Sequence, residues 1–344
     1  MQTVLRTLLN ALFTASIWFL AATATAQERE VESIPNQPSA EAYDLLKDSK
    51  GYIWVAHEFG VSRYDGANFI NLQNPQQNSV SLTSLIEDKQ GRIWCHNFSG
   101  QIFYIENLQL YLLKDYKYQD EQGFPRIVVS GNELVATSKK GLFVYNLLTG
   151  KSTYHFIQFG TNSLTRVGNK IVCFNGYEFY AYETGKPITK LSSPLYLPDH
   201  NVTSLQNVSL KDTFYLIVNP TGIYYKLSLH QDSIVAHAAV KTGAFINTIS
   251  EHEDNIWIHT KEHSITSDGK QSIKGWNLSD VITDSQGNKW MSSLKKGLCV
   301  AYNTQPIKKL DDLLTIKGHN IRRIHTEGNT MFLGTSVGML YKMS

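Results

Sequence analysis

Little in this sequence points to a metal, a nucleic acid or a helix. It has 3 cysteines in 344 residues. Cys95, Cys173 and Cys299 are far apart, and none has the paired spacing of a zinc site. An odd set could hold one disulfide and a spare thiol in an oxidising compartment. Each lies in an apolar strand pattern, however, so all three read as small buried hydrophobes in different sheets. Charge is almost balanced, with 32 Lys and Arg against 30 Asp and Glu. There is no basic stripe and no acidic tail, which removes the usual electrostatic footprint of nucleic-acid binding or membrane adhesion. No segment after residue 27 sustains a 3.6-residue apolar period. There is no Pro- or Ser-rich linker, no Gly-rich phosphate loop and no G-x-S-x-G elbow.

The N-terminus is a separate matter. Arg6 is the only charge before Glu28, the run from Leu8 to Ala22 is largely apolar, and Ala24-Thr25-Ala26 supplies small residues before Gln27. This predicts a secretory signal peptide over 1–26, cleaved near Ala26. At about 15 residues the apolar run is short of the ~20 that a spanning helix needs. The rest of the chain has no second run of that kind. It is therefore expected to be periplasmic, with no membrane insertion once the signal is removed.

What the sequence does have is a repeat. Residues 48–69 read DSKGYIWVAHEFGVSRYDGANF and residues 88–104 read DKQGRIWCHNFSGQIFY. Each has a polar turn ending in Gly (Gly51, Gly91), then Ile-Trp, a second Gly (Gly60, Gly100) and a Tyr (Tyr64, Tyr104). The pattern returns with decay around Gly131–Tyr145, Gly168–Tyr180, Phe214–Tyr225, Ile256-Trp257, Gly287–Tyr302 and Gly328–Tyr341. Tight hairpins need the positive φ that Gly adopts without steric cost. The Trp-bearing strand would pack on a neighbouring unit, because a lone four-stranded sheet cannot bury that face. A period of about 40 residues is that of β-propeller blades. The sequence thus predicts an all-β propeller of four-stranded blades: seven over 27–315, with residues 316–344 as an eighth repeat. That repeat either begins a second propeller or closes an eight-bladed ring.

The segment D-S-K-G-Y-I-W-V…G-V-S-R-Y-D-G-A-N-F resembles the two-component regulator propeller repeat. That repeat occurs in periplasmic sensor regions of hybrid two-component system histidine kinases of Bacteroidetes. The second and seventh copies match well and the others in skeleton only. The family's Gly-Thr after the Trp strand is Ala56-His57 here and survives only as Gly334-Thr335. The resemblance implies the input module of a carbohydrate-responsive sensor, non-catalytic and without the membrane helix and kinase of the full-length family members. In the family, ligand-linked changes in dimer packing reach the kinase.

In a propeller, the loops between strands two and three and those between blades crowd one face. On this register that face offers His57, Glu58, Phe59, Asn97, Phe98, Arg126, Lys139, Lys140, Asn175, Tyr177, His200, Lys261, Trp276 and Lys295 as candidate ligand contacts. Aromatic platforms beside Asn, Lys and Arg suit an oligosaccharide or another polar ligand, and a homodimer or partner sensor protein is the expected macromolecular partner. No cofactor, metal or nucleic acid is expected. His259 and His263 flank a hairpin rather than lying on a helix, so they do not form a zinc protease motif. Two alternatives stand beside sensing: a protein–protein scaffold on the same face, and a propeller lyase or glycoside hydrolase. The hydrolase would need carboxylates gathered from several blades, with Asp44 and Glu58 as candidates.

Overall fold

The computed structural model describes residues 31–121, 123–195, 203–207, 213–219, 222–252, 255–270, 272–303, 321–327 and 330–343. The expected signal peptide lies outside them. The described chain is all-β, its one helical turn being a 3-10 segment at Tyr118–Asp120. It divides into two compact units, 1–301 and 302–344.

The first unit holds seven four-stranded antiparallel sheets. Six are local meanders, at 42–72, 82–112, 127–156, 163–191, 203–241 and 246–274. The seventh takes three strands from 278–301 and its outermost strand, Glu32–Ser33, from the other end of the chain. Buried apolar clusters lie between consecutive sheets. Trp54 and Val61 of sheet one meet Leu85 and Phe103 of sheet two, and Phe174 and Phe179 of sheet four meet Phe214 and Leu216 of sheet five. The last cluster joins Leu298 and Val300 of sheet seven to Leu45, Ile53 and Val55 of sheet one. Each sheet therefore covers its neighbour's apolar face, including the seventh with the first.

The seam is held by polar contacts as well. Glu32 pairs with Val300 and Ser33 with Cys299, and Ile34 N donates to Leu298 O at 2.9 Å. The Gln37 side chain donates to Lys296 O at 2.8 Å and accepts from Leu298 N. Gly297, at φ +67°, lets the chain pass this close, since a Cβ there would collide with Gln37 Oε1 and Ser39 O. The three cysteines are free and buried, in sheets two, four and seven.

The turn and the Trp of the repeat belong to one device. Asp48 Oδ1 accepts Lys50 N and Tyr52 N at 3.0 and 2.9 Å, and its Oδ2 accepts the Trp54 indole N–H at 2.8 Å. Asp88 does the same with Gln90, Arg92 and Trp94, and Asp284 with Gln286, Asn288 and Trp290. One carboxylate thus closes the first hairpin and satisfies a buried indole. In the sixth sheet this pattern is lost, and the buried Trp257 Nε1 has no hydrogen-bond partner.

The second unit contributes a three-stranded antiparallel sheet, Ile321–Glu327, Thr330–Thr335 and Leu340–Met343.

Asp88→Ala would strand the Trp94 N–H and release Arg92, which also binds Asp88 at 2.7 Å. An unsatisfied buried donor costs about 1–3 kcal/mol, so urea unfolding of D88A should show a loss of that order. The effect of Trp94→Phe should be smaller in the D88A background than in wild type.

Candidate functional site

The turns joining strands two and three, and the segments running from one sheet into the next, leave the first unit on the same face. This follows from the register: Ala42, at the start of strand one, pairs with His57 at the end of strand two, and Val61 pairs with Leu72. Beneath this face two adjoining cavities run between the first strands of the sheets. The cavity nearer the face, about 410 Å³, is lined by Tyr43, Asp44, Ser84, Arg126, Phe245, Asn247, Asp280 and neighbours. The inner one, about 370 Å³, shares Ser84, Arg126 and Thr248 and adds Ile127, Val129, Leu164 and Leu205 together with Thr165 and Arg166. Both fall in the range of small-ligand sites.

A backbone irregularity shapes the cavity wall. The first strands of sheets one, two, six and seven slip register at Ala42/Asp44, Thr83/Ile86, Ile246/Thr248 and Leu278/Asp280. A bulge re-aims side chains at the end of a strand, and here it sets Tyr43, Asn247 and Ser279 on the wall. Asp44 accepts Leu45 N at 3.0 Å and, across the sheet boundary, Leu85 N at 2.6 Å. Asp280 accepts Val281 N at 2.8 Å and also bonds the backbone of Leu45. The two carboxyls are hydrogen-bonded to each other. Burial, opposed by these N–H donors, lifts Asp44 to about 6, and burial together with the Asp44 charge lifts Asp280 well above the carboxylate range. One proton shared between them stitches sheets seven, one and two around the cavity.

The mouth is aromatic. Phe98 packs on Tyr43 at 4.8 Å and on Phe124 at 5.5 Å, and Phe159 packs on Tyr177 at 5.6 Å between centroids. Phe59, Phe98, Phe124, Phe159, Tyr177 and Phe245 are all exposed. Of the exposed phenylalanines among the described residues, only Phe156 lies outside the loops of this face. Single exposed apolar residues are ordinary, whereas a concentration on one face marks an interaction surface.

The predicted contacts divide sharply. Phe59, Phe98 and Tyr177 belong to the rim, and Arg126 lines both cavities. Trp276 is half-buried with Lys296 Nζ over its ring at 3.8 Å. Lys139, Lys140, Lys261 and Lys295 are exposed, Lys140 lying over Tyr154. His57, Asn97 and Asn175 face inward instead. His57 is 1% exposed, bonds Ser62 Oγ through Nε2 and accepts Phe59 N at Nδ1, and burial pushes its pKa down to about 4. Asn97 Oδ1 accepts Ser99 N and Gln101 N while its amide donates to Ser79 O. Asn175 holds its turn in the same way through Tyr177 N, Glu178 N and Gln158 O. These three side chains are occupied by the hairpins that carry the rim. Glu58 is half-buried and accepts Ser39 Oγ at 3.5 Å. His200 lies outside the described residues. The sequence reading missed Tyr43, Phe124, Phe159, Phe245, Asn247 and Asp280. A Phe just before or after a first strand was a legible signal, but a bulge was not.

No family model and no curated protein matches the sequence. Solved structures do match in fold. One is the extracellular domain named as hybrid two-component system BT3049 of B. thetaiotaomicron, at TM-score 0.60 and 13% identity over 92% of this chain and 48% of that one. Another is the extracellular domain named as one-component system BT4673 of the same organism, at TM-score 0.61 and 14% identity over 93% and 46%. The chain thus spans about half the length of these two. Streptogramin B lyase matches at TM-score 0.61 and 12% identity over 79% of this chain and 96% of its own. All three likenesses are likenesses of fold, which is that of a β-propeller.

Carboxyls whose pKa is raised by folding stabilise the fold below their unfolded value near 4, and that stabilisation is lost as pH rises through the folded value. His57 and His96, both depressed to about 4 by burial, act in the opposite sense as pH falls below 6.5. The difference between wild type and Asp280→Asn isolates the pair, because both forms keep the histidines. In urea titrations, wild type should lose stability relative to D280N as pH rises from about 4 through about 6, the folded value of Asp44. A difference independent of pH would mean that no proton is shared.

Proposed function

We propose that the chain is the ligand-recognition propeller of an exported sensor, binding an oligosaccharide or a similar polar ligand at the aromatic face and working without catalysis. The observation that carries this reading is the aromatic rim over a polar cavity. Flat rings stack on the apolar faces of a sugar, while Ser84, Asn247 and Ser279 below offer donors and acceptors to its hydroxyls. The fold shared with extracellular domains of proteins named as two-component and one-component systems supports a sensing role. The likeness to a lyase lends the propeller fold to a catalytic reading too. The cavity's carboxyl pair, however, already bonds backbone N–H groups and its own partner. Two glycosidase carboxyls stand about 5–9.5 Å apart to admit a sugar or a water, and a hydrogen-bonded pair leaves no such gap.

On the same reading, the seven sheets of the first unit form a ring complete in itself, and the three-stranded sheet opens a further run of repeats. Ligand binding would act by differential affinity for two arrangements of such modules.

Aromatic anchors at an interface typically carry more than 1 kcal/mol each, so Phe98→Ala with Phe124→Ala should weaken oligosaccharide binding by roughly tenfold or more. Neither residue is in the inter-sheet core, so the melting temperature should barely move. Calorimetric titration with glycans selected on an array checks the first, and thermal unfolding the second. Full retention of glycan binding in the double variant would remove the rim from the site, and capture of a polypeptide with no glycan bound would favour the scaffold.

A further inference from the structure

Arg126 is the charged residue common to both cavities. It precedes the first strand of sheet three, lines both cavities and is accessible to water from within them, although protein surrounds it. Its backbone is fully used: N–H donates to Thr137 Oγ1 at 2.8 Å and the carbonyl accepts Thr137 N at 2.9 Å. The side chain has no such use. Among the described residues the guanidinium makes no ion pair and no hydrogen bond, whereas Arg92 is held by Asp88. The nearest titratable consequence of its charge is on His96, which burial first and Arg126 in addition keep neutral. His96 Nδ1 bonds Asn97 O at 3.2 Å, and its buried Nε2 has no partner. The carboxyls that share the cavity, Asp44 and Asp280, spend their oxygens on backbone N–H groups and make no ion pair with Arg126.

Water reaches this side chain, yet the surrounding protein desolvates the charge in part and no ion pair offsets that cost. Burial accordingly lowers the pKa of Arg126 from its usual value. Five donors in a rigid planar fork are suited to an oxyanion, and in a partly desolvated site such a bond is stronger than in water. The cavity it lines also carries Thr83, Ser84, Asn247 and Ser279, and its Tyr43 packs on Phe98, which packs on Phe124. Hydroxyls, an amide and flat rings sharing a cavity with one cation favour a polyhydroxylated anion over a flexible acidic peptide.

We propose that Arg126 is the anchor of an oxyanion site in this cavity, and that the ligand is an acidic sugar whose carboxylate or sulfate it binds. The inference rests on the sugar-binding reading above and adds the charge of the ligand to it.

The test uses the full chain, with Arg126→Met and Arg126→Lys, against D-glucuronate, N-acetylglucosamine 6-sulfate, D-glucose and the tripeptide Gly-Glu-Gly, by ligand-observed NMR at millimolar concentrations. Wild type should bind one or both acidic sugars at least tenfold more tightly than glucose. R126M should abolish that preference, and R126K should restore part of it as a point charge. Preference for glucuronate or for the sulfate identifies which oxyanion the site takes. Without ligand, R126M should melt at the same temperature as wild type or higher, since the removed charge has no partner. Equal binding of glucose and the acidic sugars, unchanged in R126M, would overturn the anion site and leave the sugar reading intact. Binding of Gly-Glu-Gly alone would overturn the sugar, and binding of no probe would count against both readings. A lower melting temperature in R126M without any change in binding would make Arg126 a structural cation.

Discussion

A four-stranded sheet of this size has two faces and too little sequence to cover either. Everything else in the first unit follows from the need to put each sheet's apolar face against another. Trp54, Phe103, Phe143, Phe174, Phe214 and Trp257 are buried, and each belongs to a cluster spanning two sheets. The arrangement is sound only if the last face meets the first, as Leu298 and Val300 do with Leu45 and Val55. Packing between sheets supplies the area, and the seam at Ser33, Gln37 and Gly297 makes it continuous.

That constraint also explains where chemistry can reside. Faces between sheets are consumed by packing and outer strands by exposure, so the polar groups free to meet a ligand gather at the axis and at one set of loops. The axis is not passive: bulged first strands set carboxyls and amides on the wall, and the Asp44–Asp280 pair ties three sheets together. The loops divide the work between residues that hold the turn, such as Asn97 and Asn175, and residues that project from it, such as Phe98 and Tyr177. A rigid hairpin presenting an exposed ring orders little on binding, which favours affinity.

The architecture was legible in the sequence because its signals are local. Gly51, Gly91 and Gly287 do sit at positive φ, and the Trp of each strong repeat is anchored to its own turn six residues earlier. The face was legible too, since loop membership follows from strand order. Side-chain direction within the face was not. His57, Asn97 and Asn175 have the composition of ligand contacts, yet in a tight turn a short polar side chain bonds the backbone beside it. Asp280 and Asn247 could not be seen as wall residues, because a one-residue slip in a strand inverts the side chains beyond it. The outer strand of the seventh sheet was invisible for another reason. Glu32–Ser33 has no strand pattern of its own and exists only because Val300 is there to pair with it.

That short strand ties the order of synthesis to the order of folding. The segment around Glu32–Ser33 finds its partner only after the rest of the seventh sheet has emerged, with contacts such as Gln37 to Lys296 spanning 259 residues. Contacts of such separation are slow to form, and until they do, sheets one and seven both expose an apolar face and an open edge. The first unit therefore has a single last step, in which its first described strand meets its last. The interval before it is when the molecule is most open to pairing with the wrong neighbour.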